Sequence, residues 1–210
     1  DGTHMIRQGD SLRPITPGDI VILLRSPGSV GMEYEFALQQ RGIRCVTGSS
    51  ENLLDTEEVQ TLLSLLQTIN NPMQDIPLIA TLTSRIFCFT ADDLAIIRSA
   101  HKVGTIYSAL RESNLDKAVK FLETLSILRK AARTEGLSKL LLRIFSLTRI
   151  DSTFAAMPDG VNRVENLQNF CQLVSTFENN SQNGLSGFLD HMNLVIERGL
   201  PVQTSSGVPD

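Results

Sequence analysis

No apolar run in this 210-residue sequence is long enough to span a bilayer, and no stretch has the pattern of a secretory leader. Both absences predict a soluble, cytoplasmic chain. Cysteine is scarce: Cys45, Cys88 and Cys171 are odd in number and far apart. There is no CxxC pair and no Cys/His ligand spacing, which argues against zinc. Each cysteine has apolar neighbours, so the expectation is free, buried thiols in a reducing compartment. His4, His101 and His191 are scattered and receive no role. No GxxxxGK[ST] loop is present to cradle phosphates, and there is no GxSxG elbow or HExxH helix. Asp92 and Asp93 are adjacent, which turns them to different parts of a helix surface. Glu57, Glu58 and Asp75 lack metal spacing and fit helix starts, where carboxylates complement the dipole. The net charge of −4 excludes a wholly basic coat but not a local basic face.

What is present begins with Pro17-Gly18-Asp19, a turn opening onto Ile20-Val21-Ile22-Leu23-Leu24 and closing at Arg25-Ser26. Five unalternating apolar residues predict a strand buried on both faces, as in a parallel α/β sheet. Ligands of such sheets sit beyond the strand's carboxyl end, where Arg25 and Ser26 stand. The plainer reading is that Arg25 marks where the strand meets water. Residues 1–16 read as a loop or frayed strand. Met32 to Gln40 reads as a helix with Tyr34, Ala37 and Leu38 on one face, closed by Gly42. Ile43 to Val46 reads as a second strand, which completes a β-α-β unit.

From residue 51 the texture becomes helical. Asp55 and Glu58 suggest a capping box before a stripe of Val59, Leu62, Leu63, Leu66 and Ile69. Asn70-Asn71-Pro72 ends that helix. Further helices are predicted over Ile76–Leu82, from Thr90 with Asp93, and over Ile106–Leu110. Longer ones follow over Leu115–Ala132 (Val119, Leu122, Leu125 and Leu128 inward), Leu137–Thr148, Asn162–Phe177 and Leu185–Glu197. Met157-Pro158-Asp159-Gly160 is a turn. The tail from Pro201 is small and polar and reads as a linker. The fold class is therefore mainly α, an all-helical domain joined to a small incomplete β-α-β piece. The expected boundaries are 1–50, 51–199 and a flexible 200–210. Two strands cannot make an independent sheet, so the missing strands are expected outside this stretch.

One basic cluster stands out. Arg129, Lys130, Arg133, Lys139, Arg143 and Arg149 face Glu135 alone, a local balance of +5 in a chain of net −4. Such asymmetry suits nucleic-acid phosphates. It also suits a solvated helix C-terminus, where cations are stabilising. No aromatic residue interleaves with these charges, so a stacking platform for single strands has no support in the sequence.

Several stretches together resemble the UvrD-like superfamily 1 helicases, and within them the AddA (RexA) subunit family of bacterial helicase–nucleases. They are Gly18 to Ser26, Arg41-Gly42-Ile43, Glu57-Glu58-Val59, and the specific run Ile69-Asn70-Asn71-Pro72-Met73-Gln74-Asp75-Ile76-Pro77-Leu78. Phe89-Thr90 to Arg98 and Met157-Pro158-Asp159-Gly160 with Arg163, Asn166 and Leu167 continue the likeness. The resemblance implies the start of RecA-like motor domain 2A, followed by its helical 2B insertion. It implies a parent enzyme that hydrolyses ATP with Mg²⁺, unwinds DNA from double-strand ends and digests it in recombinational repair, alongside an AddB-type second subunit. The phosphate-binding loop, the Mg²⁺ carboxylate and the nuclease domain lie outside this stretch. No cofactor is therefore expected here, and the stretch alone is expected to be inactive.

By the same resemblance Arg25 and Ser26 are candidates to contact single-stranded DNA. Arg129, Lys130 and Arg133 are candidates for duplex contact on their charge alone. Two departures stand out: Thr83-Ser84 is followed by Arg85 rather than by the family's usual proline two residues on, and the glycine-isoleucine-glycine hairpin of UvrD's own 2B domain is absent. A stand-alone helical protein-interaction module is the alternative reading. A hydrolase using Cys45 or Cys171 ranks below both, because no base is placed near either thiol.

Overall fold

A computed structural model describes residues 4–9, 11–25, 27–43, 45, 52–101, 103–181, 183–200 and 202. The chain divides into two compact units, the larger running from Asn52 to Val202. The described residues of the smaller unit all precede it.

In the smaller unit, strands β1 (Met5–Gln8) and β2 (Ser11–Pro14) pair antiparallel, with Met5 opposite Pro14 and Gln8 opposite Ser11. Gly9 takes a φ of 63° at the turn between them, a conformation glycine adopts without steric cost. Both Arg13 terminal nitrogens donate to the Asp19 carboxylate, which also accepts from the backbone and hydroxyl of Thr16. These donors hold Asp19 well below the usual carboxylate range, the Arg13 bond first among them. Helix α1 spans Pro27–Gln39, starting earlier than its periodicity suggests because proline is tolerated at a first turn. Gly42 closes it at φ 74°, as expected.

The β-α-β expectation needs correction. Ile20–Leu24 forms no strand, and Ile20, Val21, Ile22 and Leu23 are 49–90% exposed rather than buried. Ile43 and Cys45 are likewise outside any strand, and Arg44 and Val46 lie outside the described residues. A doubly buried strand requires hydrogen-bonding neighbours on both edges. Among the described residues the only strands are those of the hairpin. The class remains mainly α with a small β piece, but that piece is formed by residues read as a loop.

The larger unit is helical throughout. Its helices are α2 (Glu57–Asn70), α3 (Asp75–Thr83), α4 (Ala91–Ala100), α5 (Ile106–Glu112), α6 (Asp116–Thr134), α7 (Leu137–Thr148), α8 (Ile150–Ala155), α9 (Gly160–Asn180) and α10 (Gly184–Glu197). The centre is α2, which packs against α3, α6, α9 and α10. Its predicted stripe is fully buried, and Leu65 and Thr68 join it, so the helix is enclosed on most sides. Phe121, Phe154, Phe170 and Phe188 are the largest buried side chains. Phe170 meets Phe188 edge-on at 5.9 Å between ring centroids, the arrangement ring quadrupoles favour.

The run from Asn70 to Leu78 is a tight joint between helices. The Asn71 side chain accepts from the Met73 N–H, Pro72 and Leu78 are buried, and Asp75 accepts from the Ile106 N–H at 2.9 Å. That last bond ties the start of α3 to the start of α5.

Local signals hold in places and fail in others. Thr90 and Asp93 form the expected reciprocal cap on α4. The box expected at Asp55 and Glu58 does not form. Thr56 is the N-cap of α2, and Glu58 is buried. On α6 the inward face is Ala118, Phe121, Leu125 and Leu128, which leaves Val119 45% exposed and Leu122 half-buried. Ile196 of α10, also expected inside, is 45% exposed. Helix α8 falls in a stretch read as irregular. Arg149, left-handed at φ 53°, separates it from α7.

The two connections of the larger unit meet. Leu53 N–H donates to the Val202 carbonyl at 3.0 Å, and Val202 N–H donates to the Asn52 side-chain oxygen at 3.2 Å. Val202 also packs against the core, so the helical unit continues past the boundary expected at 199. The rest of the tail lies outside the described residues.

Candidate nucleic-acid interface

The last turns of α6 place Ser126, Arg129, Lys130 and Arg133 along one side of the helix, since residues three and four apart are neighbours there. Arg129 and Arg133 are a like-charge pair at that spacing, unfavourable by about 0.2–0.5 kcal/mol. Proximity to the negative helix C-terminus offsets this. The three cations line a cleft of about 320 Å³ with Leu125 at its base and Tyr107 of α5 at its side. None of the three forms an ion pair among the described residues.

The remainder of the basic cluster disperses. Arg143 on α7 makes two hydrogen bonds to Glu135, one of 2.5 Å, which neutralises it. Lys139 approaches Glu178 on α9. Arg149 sits at the bend between α7 and α8. The subset singled out on charge is thus the one left unpaired on a single face. Arg25 is exposed in the segment after Leu24, within the smaller unit, and Ser26 lies outside the described residues.

A second constellation joins residues that the sequence reading kept apart. Arg163 of α9 donates to the carboxylates of Glu57 (3.1 Å) and Glu58 (2.9 Å) at the start of α2. Asn166 donates to Glu58 at 2.7 Å, and Arg85 to Glu57 at 2.9 Å. Arg163 also donates to the Pro158 carbonyl. Glu58 is only 2% exposed, so these donors are what make its burial tolerable. Arg85 and Arg163 hold Glu57 below the usual carboxylate range, Arg85 more strongly. Glu57-Glu58, Pro158, Arg163 and Asn166 all belong to stretches that carry the family resemblance, and they form a structural clamp. The one advance signal was their membership of that shared pattern.

The thiols do not support hydrolysis. Burial pushes the Cys171 thiol up to about 11, opposite to the direction that activates a nucleophile. Cys45 is half-buried, and Cys88 is exposed, contrary to expectation, at a left-handed residue. Among the described residues no group of His, Cys, Asp and Glu is clustered as metal ligands would be, and no helix is long and apolar enough to cross a membrane.

Geometry and sequence together define a class: a compact helical domain whose two chain connections leave at one place, bearing a basic cleft. No protein-family model matches the chain. Curated relatives do, and each of the three that follow is named as the first subunit of an ATP-dependent helicase/nuclease. The chain is 37% identical over 189 residues to the one from Thermoanaerobacter sp. (strain X514), covering 87% of this chain and 15% of that protein. Its likeness to the one from Geobacillus kaustophilus is 36% identity over 193 residues, covering 86% of this chain and 16% of the relative. For Levilactobacillus brevis the identity is 31% over 219 residues, covering 95% and 17%. The chain therefore belongs to the AddA family, of which it represents a segment. It spans about one sixth of the length of these relatives.

Proposed function

We propose that the chain is the part of an AddA-type protein that opens motor domain 2A and carries the helical 2B domain. Its role is to orient DNA and the AddB-type partner beside the motor. ATP hydrolysis, unwinding and strand digestion during double-strand-break repair would belong to other parts of the parent. The residues here do not fit ATP and Mg²⁺, because the sequence has no phosphate loop. The chain alone is accordingly expected to be inactive, and no catalytic step is assigned to it.

The observation that supports this reading most is the unpaired trio Arg129, Lys130 and Arg133 in one cleft. The exposed apolar segment Ile20–Leu23 also fits, as a strand awaiting partners from the rest of a motor-domain sheet. The test is binding of a forked duplex across a salt series. Affinity is expected to fall steeply with salt, because phosphate neutralisation releases counterions. Salt-independent silence toward DNA, or ATP turnover by this chain, would contradict the proposal.

The alternative, a helical protein-interaction module, has one observation in its favour. A shallow hollow of about 630 Å³ beside the basic cleft is lined by Val119, Leu122 and Ile127 together with Arg111 and Glu123. Tight binding of a protein partner without any DNA affinity would favour it.

A further inference from the structure

Tyr107 changes what the basic cleft can hold. No aromatic residue lies among the cations in sequence, yet the fold brings Tyr107 from α5 to the side of the cleft they line. The cleft combines that half-buried ring, apolar Leu122 and Leu125, the hydroxyl-bearing Ser126 and Thr134, and three cations, with no carboxylate on its wall. The tyrosine hydroxyl has no hydrogen-bond partner among the described residues. A duplex would present only its phosphate ridge to this surface and leave the ring and apolar floor unused. An unpaired base uses both, stacking on the ring while its phosphates meet the cations. A volume of about 320 Å³ lies at the small end of ligand pockets, the scale of a single nucleotide rather than a peptide helix.

We infer that this cleft is a single-strand site, accepting one unstacked nucleotide with its base against Tyr107 and its phosphates between Arg129, Lys130 and Arg133. The inference rests on the proposed role in DNA orientation and narrows it to an unpaired strand. The neighbouring hollow shares Leu122 and Ser126 with the cleft and contains Arg111, so a strand continuing along α6 meets a fourth cation.

The test uses the 210-residue chain, a labelled short oligothymidine and a blunt duplex, with fluorescence anisotropy across a salt series. Tyr107→Leu retains apolar packing and is expected to weaken oligothymidine binding by about tenfold, leaving duplex binding and the salt slope unchanged. Tyr107→Phe is expected to bind like the parent. Replacing Arg129, Lys130 and Arg133 with glutamine should weaken both ligands and reduce the salt slope by about 2.

If the glutamine variant loses affinity while Tyr107→Leu does not, stacking is refuted and the phosphate reading stands. Equal losses in Tyr107→Leu and Tyr107→Phe also refute stacking. If the glutamine variant binds DNA as tightly as the parent, the role of this helix in DNA contact falls, and the single-strand site with it. Binding of an acidic peptide to the cleft without any oligothymidine binding overturns the inference as well.

Discussion

Glu58 is buried at 2% exposure and shares its carboxylate between Arg163 and Asn166. Truncating a partner therefore costs more than the bond itself, since a charge is left without compensation in a dry site. Arg163→Leu is expected to lower unfolding stability by about 3 kcal/mol in urea titration, far beyond the effect of losing a surface pair. Gly160 begins α9 where an added Cβ would lie 2.1 Å from the Ala155 carbonyl oxygen. Backbone cannot yield as a flexible side chain can. Gly160→Ala should thus cost about 1–3 kcal/mol, seen as a lower thermal midpoint with the helical spectrum retained. The Met-Pro-Asp-Gly turn was legible in the sequence as a turn. Its tightness was not, because the carbonyl it must clear is set by the end of α8, a helix absent from the periodicity. Glu58 was legible as a helix-start carboxylate. Its true partners lie more than a hundred residues away, and no local rule reaches that far.

Among the elements, the start of α7 is capped from a distance. Glu178 on α9 accepts from the Leu137 N–H at 2.7 Å and from the Ser138 N–H and hydroxyl. These bonds, with the Ser138 hydroxyl the largest contributor, hold its pKa below the ordinary value of 4.5. A carboxyl with a depressed folded pKa contributes stability above its unfolded pKa and loses it as pH falls through the folded one. Glu178→Gln should cost about 1 kcal/mol at neutral pH. The gap from the parent chain should close in acid, as followed by denaturation at a series of pH values. Gly136, the N-cap, leaves room for this carboxylate, and an added Cβ would lie 2.2 Å from it. Gly136→Ala should displace Glu178, so its penalty is expected to shrink in a Glu178→Ala background, a non-additivity that a double-mutant cycle measures. Most helices were readable because a stripe of leucines at helical spacing admits little else. α8 escaped because six residues complete less than two turns of pattern. The Ile20–Leu24 segment misled because apolar content records a preference for burial, whereas pairing requires a neighbour.

For the molecule as a whole, the charge cluster shows the limit of counting. The sequence displays six cations within 21 residues (Arg129 to Arg149), but pairing with Glu135 and turning between α6 and α7 reduce them to three in one cleft. The cations were visible one at a time. Tyr107 was not, since only the packing of α5 on α6 brings it there. The family pattern conveyed more than periodicity did, because the Asn70–Leu78 joint and the Glu57–Arg163 clamp depend on residue identity and not on polarity alone.

The paired bonds among Asn52, Leu53 and Val202 bring the two termini of the helical body within one residue's reach of each other. A body closed in this way can be transplanted. Spliced into a surface loop of an unrelated host protein, it would demand no stretching of the host's backbone and would keep its core leucines sequestered. Circular dichroism of such a chimera is expected to equal the host's spectrum plus that of the graft.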